Sequence, residues 1–273
     1  MMTAIPFTQI DAFASRAFEG NQACVMPLDA YLPDETLQKI AAENNVAETA
    51  FLVAAGDGVW ELRWFTPTVE VPLCGHATLA SGHYLYAHAG FDGGKITFRT
   101  HKSGDLFVSK LSDGRLEMDF PNQTFREVEL DPEIAAVLGK TPVRAFAGPC
   151  YVALYETAAD IIALDPDLEK LKSLGTSDGN WGLGNFGCLA LDGDGVDVTS
   201  RFFAPGSGIP EDPATGSWHC LVSPIVEHLT GRTQAKCFQA FPGRGAHVAT
   251  ELMGDRVKLR GQSVTVIEGT FRL

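Results

Sequence analysis

Two stretches of this chain repeat one pattern of residues, and the repeat constrains the fold more than any other feature. The first reads Arg63-Trp64-Phe65-Thr66-Pro67, then Pro72-Leu73-Cys74-Gly75-His76-Ala77-Thr78. The second reads Arg201-Phe202-Phe203-Ala204-Pro205, then Pro210-Glu211-Asp212-Pro213-Ala214-Thr215-Gly216-Ser217. A shift of 138 residues, from 63 to 201, superposes the arginine, phenylalanine and proline positions and places Cys74 on Asp212. The repeat predicts two similar lobes with a ligand bound between them. The mismatch of Cys74 with Asp212 predicts that the lobes have different chemical roles.

Length and charge limit the classes of protein to which the chain can belong. Its 273 residues suffice for two domains or lobes of about 100–200 residues each. The formal net charge is −13. Nucleic acids and anionic membranes require basic patches, so this charge argues against both as partners. A small anionic substrate remains compatible, because a local site can oppose the field of the whole protein.

The sequence shows no export signal, no membrane-spanning segment and no metal-ligand spacing. The start, Met1–Pro6, lacks a basic segment followed by a long apolar run, and no stretch approaches about 18 apolar residues. The cysteines form no CxxC pair and the histidines form no HExxH motif. We therefore expect reduced thiols, a cytoplasmic location and no metal. The cysteines are Cys24, Cys74, Cys150, Cys188, Cys220 and Cys237.

Short strands alternate with two apolar helices, which predicts an α+β fold. Gly75–His88 carries apolar residues all round, which is typical of a helix buried in the interior. A second apolar helix begins near Ala214, and Pro224 is expected to bend it or end it early. We expect each lobe to wrap strands around one of these helices. The predicted lobes are 1–121, completed by a carboxyl-terminal strand at 262–273, and 122–261.

Start and stop signals predict two further helices. Pro33–Asn44 is amphipathic, with Asp34 as its N-cap. Asp165-Pro166-Asp167 opens the other helix and Gly175 closes it, because aspartate, proline and glycine favour these positions.

Both apolar helices begin with a glycine-containing turn, Cys74-Gly75-His76 in one and Thr215-Gly216-Ser217 in the other. A helix start presents backbone N–H groups and a partial positive charge, and glycine lets a ligand approach that backbone closely. Two such starts facing each other predict a carboxylate site between the lobes. The alternative is that these glycines only allow the helices to pack tightly.

Glu48 is a candidate acid/base, because it lies in the apolar run Val46–Val53. Burial without a partner raises the pKa of a carboxyl group toward neutrality, which suits a proton shuttle. The alternative is an edge-strand glutamate that points to water.

Residues at the two helix starts are candidates for substrate contact. His76 is placed to hydrogen-bond a substrate or exchange a proton, unless the core satisfies it. Asp212 and Ser217 flank the second start, where an aspartate before proline is also a common N-cap. Cys74 is either a thiol base or a small apolar residue.

Motifs of the common cofactor and nucleophile classes do not occur in the context that their function requires. No GxGxxG follows a strand, no phosphate loop ends in Gly-Lys-Ser/Thr, and no GxSxG serine elbow occurs. Nucleotide cofactors and a serine nucleophile therefore have no support in the sequence.

Four segments together resemble the phenazine-biosynthesis PhzF-like family, within the diaminopimelate epimerase superfamily. They are Ile10-Asp11-Ala12-Phe13 with Gly20-Asn21, Ala47-Glu48-Thr49-Ala50-Phe51, Cys74-Gly75-His76-Ala77-Thr78, and Asp212-Pro213-Ala214-Thr215-Gly216-Ser217. The resemblance implies two pseudo-symmetric lobes, each a rolled β-sheet around a central helix, with the active site in the cleft. It also implies a homodimer, no cofactor and a role in a biosynthetic process.

The resemblance assigns roles to matching residues. The glutamate of Glu-Thr-Ala-Phe, here Glu48, is the general acid/base. His76, Asp212 and Ser217 are expected to contact the substrate, while the backbone of two glycines binds its carboxylate. Those glycines are Gly75 and Gly216.

The wider superfamily includes epimerases and racemases that use two cysteines, one on each face of the substrate. Here Cys74 is opposed by Asp212, so a two-thiol mechanism is not expected. The chain is therefore predicted to be a cofactor-independent isomerase that shuttles a proton on a small carboxylic acid. Two alternatives stay open: a non-catalytic binding protein, and an epimerase that pairs Cys74 with a non-cysteine group. Asn21 and Trp218 are additional site candidates. Trp218 departs from the family pattern, and it is expected to narrow the pocket or to contact an aromatic ligand.

Overall fold

The computed structural model describes residues 4–176 and 181–273. Residues 1–3, part of the segment Met1–Pro6 on which the expectation about an export signal rests, lie outside the described residues. The first strands are β1 (Ala4–Ala12), β2 (Asn21–Leu28), β3 (Glu48–Gly56), β4 (Val59–Phe65), β5 (Glu70–Val71), β6 (Lys95–Thr100), β7 (Asp105–Lys110) and β8 (Leu116–Pro121). The later strands are β9 (Arg126–Val128), β10 (Arg144–Ala147), β11 (Tyr151–Tyr155), β12 (Phe186–Ala190), β13 (Val198–Phe203), β14 (Gln234–Gln239), β15 (Ala246–Met253), β16 (Arg256–Gly261) and β17 (Ser263–Arg272). The helices are α1 (Asp34–Asn44), α2 (Gly75–Ala87), α3 (Pro132–Leu138), α4 (Ala158–Ile162), α5 (Leu168–Leu171) and α6 (Gly216–Thr230).

The chain divides into two compact units. Unit 1 comprises Met1–Asp119 and Arg260–Leu273, and unit 2 comprises Phe120–Leu259. The last strand of the chain, β17, belongs to unit 1, where it pairs antiparallel with β1 along its length.

Unit 1 is built from a strand sequence in which antiparallel and parallel pairs alternate. β1 pairs antiparallel with β2, β2 parallel with β3, β3 antiparallel with β4, β4 parallel with β6, and β6 antiparallel with β7. Parallel neighbours need a crossover connection, and helices supply it here. α1 connects β2 to β3, and α2 lies between β4 and β6 in the chain.

Unit 2 repeats this order of pairing. β10 pairs antiparallel with β11, β11 parallel with β12, β12 antiparallel with β13, β13 parallel with β14, and β14 antiparallel with β15. The second crossover again contains the long apolar helix, α6. The predicted α+β architecture with two similar halves is therefore confirmed.

The long helices are buried, as the sequence predicts. In α2 every residue from His76 to Gly82 is buried, and the helix packs against β1, β2, β3, β7 and β17. In α6 the residues from Trp218 to Val226 are buried, and the helix packs against β14 and β15. Each unit thus surrounds one helix with strands.

The expectation that Pro224 ends the second helix early is wrong, because α6 continues to Thr230. A proline inside a helix leaves the carbonyl four residues earlier without its N–H donor. That carbonyl belongs to Cys220, and it accepts a hydrogen bond from the backbone N–H of Gln123 at 3.2 Å. The segment between β8 and β9, which contains Gln123, therefore supplies the N–H donor that Pro224 lacks.

Two helix starts differ from prediction by a few residues. Pro33 occupies the N-cap position of α1 without a side-chain cap, and Asp34 is already helical. Asp167, rather than Asp165, caps α5, and its carboxylate accepts from the backbone N–H of Lys170. This helix ends at Leu171, well before Gly175.

Each unit holds the arginine of its repeat in a buried, two-pronged ion pair. Nε and Nη2 of Arg63 donate to the Glu70 carboxylate at 2.8 and 3.0 Å. Nε and Nη2 of Arg201 donate to the Glu211 carboxylate at 2.7 Å each. Each guanidinium also lies over the phenylalanine two residues later, Phe65 or Phe203. The repeat is therefore a repeated packing unit.

Among residues 4–176 and 181–273, no helix combines the length and the hydropathy that crossing a membrane requires.

Candidate active site

Unit 1 brings four candidate residues together at the start of α2. Glu48 is the first residue of β3, and Asn21 is the first residue of the neighbouring parallel strand β2. Cys74 occupies the N-cap position of α2, and His76 lies in its first turn. Strand ends and a helix start thus converge on one place.

The imidazole of His76 is the centre of this cluster. Its Nε2 lies 2.9 Å from Oε2 of Glu48. On the other side of the ring, Nδ1 lies 3.3 Å from Nδ2 of Asn21 and 3.5 Å from Sγ of Cys74. The side chain of His76 is 6% exposed and that of Glu48 is 16% exposed. The carboxylate therefore keeps a narrow opening to a ligand while the imidazole is enclosed.

The buried oxygen of Glu48 has a neighbour but no well-aligned hydrogen bond. Oε2 is within hydrogen-bond distance of His76 Nε2, yet the geometry is poor and no other group in the described part of the chain donates to it. A buried acceptor without an aligned donor is costly. This oxygen therefore keeps hydrogen-bonding capacity that the described residues do not use.

The cluster shifts the acid–base properties of His76 and Cys74. Burial, the largest influence, lowers the pKa of His76, but the neighbouring Cys74 and the Glu48 carboxylate raise it, so it lies well above its ordinary value. Burial and the Glu48 charge raise the pKa of the Cys74 thiol to about 11. The acid–base states of the three side chains are therefore linked, because a charged Glu48 favours both the neutral thiol of Cys74 and the charged form of His76.

The start of α2 offers backbone donors beside this cluster. The N–H of Thr78 is the first to bond within the helix, to the Cys74 carbonyl, so Gly75 and His76 precede the helical ladder. The hydroxyl of Thr78 donates to the same carbonyl at 2.6 Å and fixes the turn. This helix has 13 residues, long enough for a helix dipole to favour an anion at its start.

In unit 2 the remaining candidates gather at the start of α6. Thr215 is the N-cap residue, and Gly216 and Ser217 are the first residues of the helix. Asp212 does not cap the helix; its carboxylate accepts from the Thr215 hydroxyl at 2.6 Å.

Gln239 organises this start, and sequence reasoning missed it. Its side chain donates to the Asp212 carbonyl and to the Thr215 hydroxyl, and accepts from the Thr215 N–H. Gln239 is fully buried at the end of β14. No motif links position 239 to 215, so the sequence offered no signal for it.

The structure corrects the register in which the two repeats are compared. Glu70 pairs with Phe65 across β4 and β5, and Glu211 forms the matching bridge with Phe203. From these glutamates onward the shift is 141 residues, as from 70 to 211, and it also carries Gly75 onto Gly216. The counterpart of Cys74 is therefore Thr215, the other N-cap residue, and not Asp212. Three extra residues in the second connection account for the difference.

The structure also places Trp218 differently from expectation. Its indole is fully buried in the core of unit 2, where it packs against Phe202. The α-carbon of Gly187 lies so close that an added methyl group would come within 2.2 Å of the indole ring. Trp218 is thus a core residue that depends on a glycine opposite it, rather than an exposed wall of a pocket.

One prediction concerns His219, which follows Trp218 in α6. Burial lowers the pKa of His219 to about 4, against about 6.5 in an unfolded chain. Between these values the unfolded state binds more protons, so the free energy of unfolding should fall as the pH drops from about 6.5 to about 4. In His219→Asn, which can still donate to the Thr215 carbonyl, we expect that slope to lessen by up to about 1.4 kcal/mol per pH unit.

Urea unfolding at several pH values between 4.5 and 6.5 measures this slope. The exposed His247→Asn in β15 serves as the matched control. If the free energy of unfolding of His219→Asn changes with pH as steeply as that of the wild type, this histidine does not couple folding to proton binding.

Comparison with known proteins identifies the family and the fold of the chain. The sequence profile described as phenazine biosynthesis-like protein matches residues 10–269. An uncharacterized isomerase of Pseudomonas aeruginosa is 40% identical over 271 residues, which cover 98% of this chain and 99% of that protein.

Solved structures extend the comparison to the fold. The crystal structure of a phenazine biosynthesis protein of the PhzF family from Enterococcus faecalis superposes with a TM-score of 0.92 at 33% identity, covering 99% of this chain and 100% of that one. A hydroxyproline epimerase from Agrobacterium vitis superposes with a TM-score of 0.59 at 10% identity, covering 99% of this chain and 93% of that one. That likeness shows a shared fold alone. With these matches along nearly its whole length, the chain belongs to the phenazine biosynthesis-like PhzF family.

Proposed function

We propose that this protein is a cofactor-independent isomerase that shifts a proton on a small carboxylic acid, with Glu48 as the acid/base. One observation carries the proposal: the partly open Glu48 carboxylate lies 2.9 Å from the imidazole of His76, beside the start of α2. A carboxylate in this setting can take a proton from a carbon atom of the substrate and return it to the substrate. The neighbouring His76 would stabilise Glu48 both before and after it takes the proton. The isomerase class is supported by relatives that are named isomerases.

A carboxylate is the substrate group that the helix starts favour. The backbone N–H groups at Gly75 in α2 and at Gly216 in α6 precede the helical hydrogen-bond ladders, where an anion is stabilised by about 0.3–1 kcal/mol per helix or more. We propose that donors of this kind bind the substrate carboxylate, as the family resemblance implies for each of the two glycines. Following the family resemblance, we also propose that His76, Asp212 and Ser217 contact the rest of the substrate.

The corrected alignment of the two copies of the repeat favours a proton shift over racemisation. A two-thiol mechanism needs cysteines at both helix starts, and the counterpart of Cys74 is a threonine, Thr215. The Thr215 hydroxyl already donates to Asp212. A single acid/base can instead move a proton between two positions of a conjugated acid along one face. The homodimeric state, the cytoplasmic location and the absence of a cofactor stay predictions.

A heavy-water experiment tests this function. The protein is incubated in D₂O with a panel of small unsaturated carboxylic acids, each matched by its saturated analogue, and products are followed by NMR. We expect one unsaturated acid to yield an isomer with its double bond moved and the saturated analogue to stay unlabelled. Binding without label or isomer in any acid would favour the non-catalytic alternative. Label at the α-carbon of a saturated amino acid, lost in Cys74→Ala, would favour the epimerase alternative.

A further inference from the structure

The start of α2 holds three chemically different metal-ligand atoms in one small volume. They are a carboxylate oxygen of Glu48, the thiol sulfur of Cys74 and an imidazole nitrogen of His76, and all lie within 4.8 Å of one another. We propose that this trio is an inhibitory Zn²⁺ site, at which the bound ion blocks the proton shuttle.

The donor set fits Zn²⁺ better than harder cations. Zinc accepts sulfur, nitrogen and oxygen ligands, whereas Mg²⁺ and Ca²⁺ select oxygen alone. Three protein ligands and one open position are typical of zinc sites that also take water or a small molecule. The partial exposure of Glu48 gives solvent access to the trio, so that a water molecule could complete the coordination.

Two of the three ligand separations lie within about half an ångström of those in a tetrahedral zinc site. Zinc–ligand bonds of about 2.0–2.3 Å place tetrahedral ligands about 3.3–3.7 Å apart. The observed separations are 2.9 Å from His76 Nε2 to Glu48 Oε2 and 3.9 Å from His76 Nε2 to Cys74 Sγ. Small side-chain movements would therefore centre an ion among the three atoms.

The surroundings supply what such an ion needs. The Glu48 oxygen is buried without an aligned donor, so a cation would satisfy it. Zinc ligation through Nε2 requires the remaining proton of His76 on Nδ1, so the Asn21 amide, whose nitrogen lies 3.3 Å from Nδ1, would turn its oxygen toward that N–H. Binding would release the protons of the Cys74 thiol and of Nε2, and the thiolate and carboxylate would then neutralise the dication.

Inhibition would follow because two of the zinc ligands, Glu48 and His76, also carry out the proposed proton transfer. This expectation of inhibition rests on the proposed function. An ion coordinated by Glu48 and His76 occupies the lone pairs that the acid/base reaction requires. Zinc would therefore compete with substrate turnover, and a chelator would restore it. The binding itself depends only on the three side chains.

Competition with a chromophoric zinc chelator tests the binding without any substrate. We expect one Zn²⁺ per chain, with affinity falling on the order of 100-fold or more in Cys74→Ser. Glu48→Gln should also weaken binding, while Cys24→Ala, which removes a buried thiol of β2 outside the trio, should leave it unchanged. Thermal melting of each variant confirms that it is folded.

Co²⁺ provides a second readout that identifies the ligand. The wild-type complex should show a thiolate-to-cobalt charge-transfer band, which Cys74→Ser removes and Glu48→Gln retains. Equal zinc affinity in wild type and Cys74→Ser, or a cobalt complex without that band, would overturn the proposal. Should Cys74→Ser fail to fold, the Glu48→Gln titration and the wild-type cobalt spectrum still decide it. Because neither measurement uses turnover, failure of the zinc site and failure of the isomerase proposal are separable.

Discussion

Replacing Glu48 by glutamine should lower the isomerisation rate of the substrate by about 10²–10⁴-fold, the usual contribution of a positioned acid/base. Glutamine keeps the size of the side chain and can still contact His76, but its amide does not accept a proton from carbon. Substrate affinity should change little, because the backbone donors at Gly75 remain in place. The loss should therefore appear in kcat rather than in KM.

The fold of this variant should survive, which makes the rate comparison meaningful. Glu48 is the first residue of β3, and its backbone pairing with Ala23 does not depend on the side chain. Glu43→Gln is the matched control, because Glu43 is an exposed glutamate on α1, five positions earlier in the chain.

Stopped-assay NMR in D₂O measures both isomer formation and solvent exchange. If Glu48→Gln keeps the wild-type rates, Glu48 is not the acid/base. If Glu48→Gln keeps these rates and Cys74→Ala loses them, the Cys74 thiol is the acid/base.

The parts of the fold that the sequence predicted are those with local, periodic signals. An apolar surface all round Gly75–His88, too short for a membrane span, is typical of a helix enclosed by the rest of its unit. The repeat of arginine, phenylalanine and proline predicted a shared architecture because each arginine needs the same buried counter-charge. Glu48 and His76 were each accessible as candidates, since each stood out through its own surroundings, but their contact with each other was not predicted.

The errors arose where the outcome depends on contacts between distant segments. The shift of 138 residues matched Pro72 with Pro210, although the backbone bridges match Glu70 with Glu211 and hence Pro72 with Pro213. An insertion of three residues in a loop is invisible to a fixed shift. Pro224 is tolerated because a donor from Gln123 reaches the freed carbonyl, and no helix rule contains that donor.

The ion pairs Arg63–Glu70 and Arg201–Glu211 occupy matching places in the two copies of the repeat, so the loss of stability on breaking one can be compared with that on breaking the other. In Glu211→Gln, Arg201 loses its only paired carboxylate among the described residues while its own side chain is just 7% exposed. Removing one partner of a buried pair typically costs about 3–5 kcal/mol, because an uncompensated charge remains. We expect about 3 kcal/mol, since Nη1 of Arg201 keeps its bond to the Leu164 carbonyl.

Glu70→Gln should cost less, at about 1–2 kcal/mol, because the site is wetter and keeps a second carboxylate. Glu70 is 25% exposed, and Asp34 still pairs with Arg63 at 2.8 Å. Backbone hydrogen exchange followed by mass spectrometry separates the two cases without assuming that the chain unfolds in one step. Protection should fall in β12 and β13 for Glu211→Gln, and by a smaller factor in β3 and β4 for Glu70→Gln. Equal losses of protection in the two variants would mean that exposure and the second carboxylate do not control the strength of these ion pairs. Unchanged protection in Glu211→Gln would show that the carbonyl contacts of Arg201 alone compensate its charge.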